Sequence, residues 1–472
     1  MTAFTRRAWL AQAAGLACAP QALAQLPARA EDAHKAFLSE LERRTFDWFW
    51  DIAHPVTGLT PDRWPSPSFC SVAAVGFALS SYVIGSQRGY ITRTQARDRT
   101  RKVLNFLAGL PQGAQRRGVA GHKGFFYHFL DMETGHRFAQ CELSTVDTAL
   151  LLMGALHSQA YFDGTSPPEM QIRRQVQFLV ERVDWTWAQV RGDAISHGWL
   201  PESGHLAYDW RGYNEAMMVY LLALGSPTHP VGPGAWAAWT STYDRSWKTV
   251  YGQQHLHFAP LFGHQFNHSW IDYRGLKDAE LLRLDPTGKL DYFENSRRAT
   301  YAQQAYARAN PEGWAGYDGT VFGVTASDGP ADVTREFGGR PRRFISYAGR
   351  GLAEHDDGTL APYGAGSSLP FAPEIVIPAL VAIRERHPHT WGRYGFFDAF
   401  NPSFTFTDVK LQHGRIEPGK GWVDTDYLGI DQGPLLMALA NHQGELVWKL
   451  MREHPMLRAG LHRAGFHGGW LE

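Results

Sequence analysis

Two acids, Glu142 and Asp147, sit at the head of a strongly apolar run: Glu142-Leu-Ser-Thr-Val-Asp147-Thr-Ala continues into Leu150, Leu151, Leu152 and Met153. A carboxyl held at the end of such a helix is partly desolvated, which raises its pKa and suits it to act as a general acid. The same spacing also fits a capping box, Ser144-x-x-Asp147, in which Asp147 only satisfies the helix start. Glu215 opens a second apolar helix, behind a loop carrying Trp210 and Tyr213. An acid there either takes part in chemistry or complements the helix dipole. In a third segment His264, His268 and Asp272 are four residues apart and share one face if the segment is helical. Such a trio could ligate a metal, but Gln265 stands where H-E-x-x-H needs its glutamate, and no metal is expected. Hydrogen bonding of His268 and Asp272 to sugar hydroxyls, or a buried polar network, is the expectation instead. Acids beside aromatics in Tyr317-Asp318-Gly319, His355-Asp356-Asp357-Gly358 and Trp422-Val423-Asp424-Thr425-Asp426 either line a groove or make turns. No G-x-S-x-G, P-loop or dinucleotide fingerprint is present, so serine hydrolase, kinase and dehydrogenase readings lack their motifs.

The elements that must position these acids are helices. Apolar periodicity predicts them over 34–52, 71–84, 93–108, 145–162, 169–188, 215–224, 234–250, 268–282, 292–309, 373–385 and 430–453, the last broken near Gly444. The segment from Ser71 is small and apolar all round and reads as a buried helix. No convincing run of alternating strands appears. About a dozen helices in pairs suit an all-α fold of the (α/α)6 barrel type, one domain over 33–460 with no internal repeat. The Gly- and Pro-rich stretch Glu312 to Ser368, studded with Trp314, Tyr317, Tyr347 and Tyr363, interrupts this texture. So long a weakly helical insertion tends to be functional, and it is read as rim or lid loops, with room for short strands.

Charge is even, with 46 basic and 46 acidic side chains, which leaves no electrostatic footprint for nucleic acid or for holding a polyanion. The 17 tryptophans serve either a large core or sugar stacking. Residues 1–24 have the layout of a signal peptide. Arg6-Arg7 precede an Ala-rich apolar run that ends at Ala22-Leu23-Ala24, favouring twin-arginine export to the periplasm or beyond. The run is too short to span a bilayer, and no later stretch is apolar enough to do so. Cys18 lies in this leader; Cys70 and Cys141 either pair or stay as buried thiols.

Taken in order, these segments resemble a known family. Glu142-Leu-Ser-Thr-Val-Asp147, Tyr213-Asn-Glu215-Ala with Gly225-Ser226-Pro227, and His264-Gln-Phe-Asn-His268-Ser-Trp270-Ile-Asp272 look like hallmark motifs of bacterial glycoamylase-like proteins. Phe125-Phe126-Tyr127-His128-Phe129-Leu130-Asp131 and Gly429-Ile430-Asp431-Gln432-Gly433-Pro434 fit the same pattern, and the match runs from about Phe37 to beyond Pro455. The family contains glycoside hydrolase family 144, (α/α)6 barrels that act on β-1,2-glucans, and is similar to the cyclisation domain of cyclic β-1,2-glucan synthases. The resemblance implies a neutral glucan substrate, no cofactor and inverting hydrolysis. It makes Glu215, with Asp147 or Glu142, the leading catalytic candidates. Tyr213, Asp131, His268, Trp270, Asp272, Tyr317, Asp318 and Tyr363 are the substrate-binding candidates, and a monomer is expected. A non-catalytic glucan-binding protein, a transglycosylase and a polysaccharide lyase on the same fold are the alternatives; the even charge leans against a lyase, which would want a basic groove for uronate polymers.

Overall fold

The computed structural model describes residues 28–472; the export signal expected over 1–24 lies outside the described residues. Helix α1 (Ala28–Ile52) buries Leu38, Leu41, Phe46, Trp48 and Phe49. Helix α2 (Val72–Gln87) has no polar stripe and is buried from Val72 through Gly85; the Ser71 hydroxyl caps it by accepting the Ala74 N–H at 3.3 Å. Helix α3 (Arg93–Gly109) is amphipathic, starts with a Thr92/Gln95 capping box and buries Val103, Leu104 and Leu107. Helix α4 (Thr145–Tyr161) is buried like α2, whereas α5 (Pro167–Glu181) shows one apolar face. Next come α6 (Met217–Gly225), α7 (Gly234–Thr240), α8 (Tyr243–Ser246), α9 (Ala279–Leu284) and α10 (Tyr292–Ala309). The chain closes with α11 (Pro362–Gly366), α12 (Pro373–Arg386), α13 (Gly429–His442), α14 (Leu446–Met451) and α15 (Pro455–Arg463).

The fully buried helices pack on one another in a closed sequence. Helix α2 packs on α4, α4 on α6, α11 on α13, and α13 back on α2. The gap between α6 and α11 is filled by two 3-10 turns, Leu261–His264 and Phe266–His268. Asn267 ties these turns to α6, accepting from Met218 N at 3.2 Å and donating to Asn214 O at 2.7 Å. On their other side, Gln265 donates to Gly364 O of α11 at 2.6 Å. The half-exposed helices lie outside: α1 against α13 and α2, α3 against α2 and α5, α5 against α4, α15 against α6, and α12 against α11. Short strands feed straight into three of the inner helices, Cys70–Ser71 into α2, Leu143–Ser144 into α4 and Tyr427–Leu428 into α13. The His128 segment and Asp62 lace these starts together, through Val72 N to His128 O, His128 N to Glu142 O and Gly429 N to Asp62 O. Their N-termini therefore share one end of the molecule.

Where α2 crosses α4 the backbones touch. A Cβ on Gly76 would fall on the Leu150 carbonyl, and one on Gly154 on the Gly76 carbonyl, so only glycine permits this approach.

Helices dominate as expected, but a purely all-α description is too simple. Strands of two to five residues pair into small ribbons throughout the connecting segments, including Val333–Phe337 with Arg340–Phe344 in the insertion. Two helices expected from periodicity are shorter than their pattern. The 234–250 segment stops at α7 and α8, and its end becomes a hairpin, Trp247–Val250 with Gln253–Leu256, around a Tyr251-Gly252 turn with both φ positive. The 268–282 segment is largely irregular before α9, so His264, His268 and Asp272 do not share a helical face. Among the described residues no helix is long and apolar enough to cross a membrane. Cys70 and Cys141 are both free thiols.

Candidate active site

The Leu143–Ser144 strand turns into α4 at Ser144, whose hydroxyl accepts the Asp147 N–H at 3.2 Å and donates back to the Asp147 carboxylate. The capping role is thus real, but it leaves Asp147 Oδ1 free to face His128 Nε2 at 3.5 Å. On the other side of the ring, His128 Nδ1 pairs with Glu142 Oε1 at 2.8 Å. Burial opposes a charge on His128, but Asp147, Glu142 and Asp62 outweigh it and carry the imidazole up to about 9. Burial likewise pushes Glu142 upward, and the hydrogen bond and charge of His128 reverse this, holding its carboxyl below the usual range.

Glu215 stands in the turn just before α6, a helix with no side-chain cap; within that turn Asn214 Oδ1 accepts the Ala216 N–H at 2.9 Å. Its Oε2 is closed off from solvent and has no hydrogen-bond partner among the described residues. Burial, with a further contribution from the negative charge of Asp147, raises this carboxyl to about 7. A glutamic acid that still holds its proton near neutrality has the properties of a general acid.

A group of acids that the sequence left scattered completes the same end of the molecule. Asp62, Asp328, Asp398, Asp424, Asp426 and Asp431 are all buried, and Arg63 runs among them. Arg63 Nη1 contacts Asp328 Oδ2 at 2.6 Å and Asp426 Oδ2 at 3.7 Å, and Asp398 accepts the Asp328 N–H at 2.8 Å. Burial and then the charge of Asp328 push Asp398 up to about 7; burial and neighbouring carboxylates push Asp424 and Asp431 well above the usual range. Asp398 Oδ1, Asp424 Oδ2 and Asp431 Oδ2 have no hydrogen-bond partner among the described residues. Oxygens of Asp328, Asp398 and Asp424 lie within 4.8 Å of one another, a hard-oxygen set of the kind that shares protons or takes a cation such as Ca²⁺. Directly opposite Asp328 in its two-stranded ribbon is Tyr347, whose ring is 52% exposed and free to stack on a sugar. Tyr363 borders the group and donates to Ala326 O at 2.5 Å.

The acids form one band. Asp147 acts on Glu215, His128 links Asp147 to Glu142, Asp62 acts on His128, and Arg63 joins Asp62 to Asp328 and the remaining aspartates. Only part of it was legible locally: Asp424, Asp426 and Asp431 lay in segments the sequence singled out, while Asp62, Asp328 and Asp398 carried no local signal.

Several expected substrate-binding residues fall elsewhere. Trp270 is fully buried, stacks on Phe77 and donates its indole N–H to Ser80 Oγ at 2.8 Å, so it offers no face to a sugar. Tyr213 and His268 are joined through Ser296, at 3.1 and 3.0 Å, as a buried polar network; burial lowers His268 to about 3. Asp272 is clamped by Arg274 and Arg452 beside Glu445, beyond the C-terminal end of α13 and away from the acid band. Tyr317 is buried with its hydroxyl on Asp356 at 2.8 Å. Asp131 and Asp318 make turns, accepting the Thr134 and Val321 N–H groups, and Asp318 also pairs with Arg386. A cavity of about 620 Å³ lined by Leu38, Glu42, Arg88 and His442 opens at the C-terminal ends of α2 and α13, so it contains none of the band.

Comparison with known proteins bears on this arrangement. The Glycoamylase family, described as "Putative glucoamylase", matches residues 207–455, just over half the chain. An exo-β-1,2-glucooligosaccharide sophorohydrolase (non-reducing end) of Parabacteroides distasonis is 26% identical over 456 residues, covering 90% of this chain. This chain spans only 57% of that relative's length. Among solved structures, one from Bacteroides uniformis with the same description as the family superposes with a TM-score of 0.79 at 28% identity, covering 95% of this chain and 100% of the other. An endo-β-1,2-glucanase from Chitinophaga pinensis, in complex with sophorotriose and glucose, gives a TM-score of 0.78 at 26% identity, covering 93% and 99%.

Proposed function

The chain belongs to the Glycoamylase family, and from that premise we propose that it is a glycoside hydrolase that cuts β-1,2-glucan by acid–base attack of water. The closed packing order of α2, α4, α6, the 261–268 turns, α11 and α13, each with an outer neighbour, supports reading the fold as an (α/α)6 barrel, one domain over 33–460. The acid band then lies at the barrel mouth, formed by the N-terminal ends of the inner helices. The activities named for the Parabacteroides and Chitinophaga relatives supply the linkage.

One observation carries the mechanism: Glu215 holds a proton near neutrality, with its free oxygen buried beside Asp147. Glu215 gives that proton to the leaving glycosidic oxygen. Glu142, held below the usual carboxylate range by His128, or Asp147 on the other side of that ring takes a proton from the water that attacks the opposite face of the sugar. Inversion of the anomeric centre requires the two carboxyls to stand roughly 6.5–9.5 Å apart, leaving room for the water. Tyr347 stacks a sugar ring, and Asp398, Asp424 and Asp431 hold hydroxyls with their unpartnered oxygens. No cofactor enters this scheme.

A second reading is favoured by those same unpartnered oxygens. Helix α13 lies across the inner ring from α6, so an aspartate of this group, in place of Glu142 or Asp147, would supply the second catalytic carboxyl. Digestion of linear β-1,2-glucan by the wild type, Glu215→Gln, Glu142→Gln, Asp147→Asn and Asp424→Asn separates the readings. Short sophoro-oligosaccharides are expected from the wild type, none from Glu215→Gln, and none from at least one of Glu142→Gln and Asp147→Asn. Residual activity in Asp147→Asn and Glu142→Gln with none in Asp424→Asn would move the base to the aspartate group. The twin arginines at 6–7 support export to the periplasm or beyond, and the protein is proposed to act as a monomer.

A further inference from the structure

The His128 imidazole, 28% exposed, is held by a ring on one face and a carboxylate at each nitrogen. Its ring lies flat on Phe129, 3.9 Å between centroids and 20° between planes. Its backbone N–H donates to Glu142 O at 2.9 Å, and its carbonyl accepts the Val72 N–H at 3.2 Å. The ring is therefore fixed by the starts of α2 and α4 together. Both ring nitrogens face carboxylates from different turns of chain, Nδ1 at 2.8 Å from Glu142 and Nε2 at 3.5 Å from Asp147. A neutral imidazole has one N–H and one lone pair, so it can serve only one of two ionised carboxylates and would repel the other.

From this geometry we propose that His128 is a positioning residue, held as an imidazolium between Glu142 and Asp147, that keeps Glu142 ionised and fixes the direction of both carboxylates. The inference rests on the hydrolase reading above. The charged groups facing His128 are Glu142 from the loop before α4, Asp147 from α4 and Asp62 from the loop before the Arg63–Trp64 strand, with Phe129 as the flat support. Three acids therefore surround one cation, and Arg137, which also acts on Glu142, is committed to Glu202 at 2.8 Å. The high pKa of the ring, about 9, agrees with the geometry. Without the imidazolium, the half-buried Glu142 and the buried Asp147 would be like charges without their nearest counter-charge, and the cheaper state takes up a proton. That proton would remove the base while leaving Glu215 in place.

Two measurements test the proposal. The first is the pH profile of kcat/KM for wild type, His128→Asn and His128→Lys on β-1,2-glucan. His128→Asn is expected to move the acidic limb up by about one pH unit, lowering the rate about tenfold at pH values below the wild-type limb and little at neutral pH; His128→Lys, which keeps the charge, is expected to restore the limb. A His128→Asn profile lowered in height with its acidic limb unmoved would overturn the proposal, since lost packing alone scales the curve without shifting it. The second measurement needs no active or altered enzyme beyond assignment: titration of the wild-type protein labelled with ¹³C at histidine Cε1. One resonance, missing in His128→Asn, should keep its imidazolium shift above pH 8; titration of that resonance near 6.5 would overturn the proposal. A wild type that cuts no β-1,2-glucan would sink the hydrolase reading, yet this titration would still decide the charge of His128.

Discussion

Glu215 and Asp147 stand at the same end of neighbouring helices, and the charge of Asp147 adds to burial in lifting the Glu215 carboxyl to about 7. In the proposed mechanism the pair divides the work of acid–base catalysis, Glu215 keeping its proton while Asp147 faces the His128 ring. Glu215 must be protonated to act, so kcat/KM is expected to fall as pH rises through about 7. In Asp147→Asn the alkaline limb of whatever activity remains is expected at lower pH, because one of the two influences raising Glu215 is gone. A pH–rate series on both proteins checks this; an unmoved limb would separate Asp147 from Glu215.

Asp398 gives a linked prediction for stability. Its pKa rises from 3.8 to about 7 on folding, so the folded protein keeps a proton that the unfolded chain releases. Folding stability from this group is present in full below about pH 4 and declines as pH climbs to about 7. Asp398→Asn, which needs no proton, is expected to melt above the wild type at pH 8 and close to it at pH 4, while losing activity. Thermal melts of both proteins at the two pH values read this difference directly.

Tyr347 is exposed and lies opposite Asp328 of the aspartate group in its ribbon. If it stacks a sugar, Tyr347→Ala should raise KM about fivefold, the equivalent of about 1 kcal/mol of aromatic contact, with kcat nearly unchanged. Trp270→Phe, in the core, should instead lower the melting temperature and leave KM alone. Steady-state kinetics paired with thermal melts distinguishes the two.

The contact of Gly76 and Gly154 predicts a purely structural effect. Gly154→Val must push α4 off α2, since the obstacle is backbone and cannot rotate away. Overpacking of this kind costs about 1–3 kcal/mol or more. Urea denaturation should show that loss, and a variant as stable as the wild type would mean the helices are not in backbone contact.

Most of the helical frame was legible because its signals are local. The unbroken apolar run from Val72 announces a buried helix, and the spacing of Val103, Leu104 and Leu107 an outer one. The pattern failed where composition and hairpin geometry compete: Trp247 to Val250 continues a helical spacing, yet Tyr251-Gly252 turns it into a ribbon. The site was half legible. Glu142, Asp147 and Glu215 are found from acids that open apolar helices, a feature of one segment at a time. Asp62, Asp328 and Asp398 come from three segments distant in sequence, and only the closing of the inner helices brings them together. Trp270 and Asp272 mislead for the converse reason: they neighbour His268 in sequence, but one points into the core and the other lies among arginines beyond the far end of α13.

The measurement that bears most directly on the account is the anomeric form of the first product released from linear β-1,2-glucan, followed by ¹H NMR for the wild type and Glu215→Gln. The account predicts that the wild type releases sophoro-oligosaccharides first as the α-anomer, before mutarotation, and that Glu215→Gln releases none. A β-anomer appearing first, or a Glu215→Gln protein cutting at the wild-type rate, would contradict it.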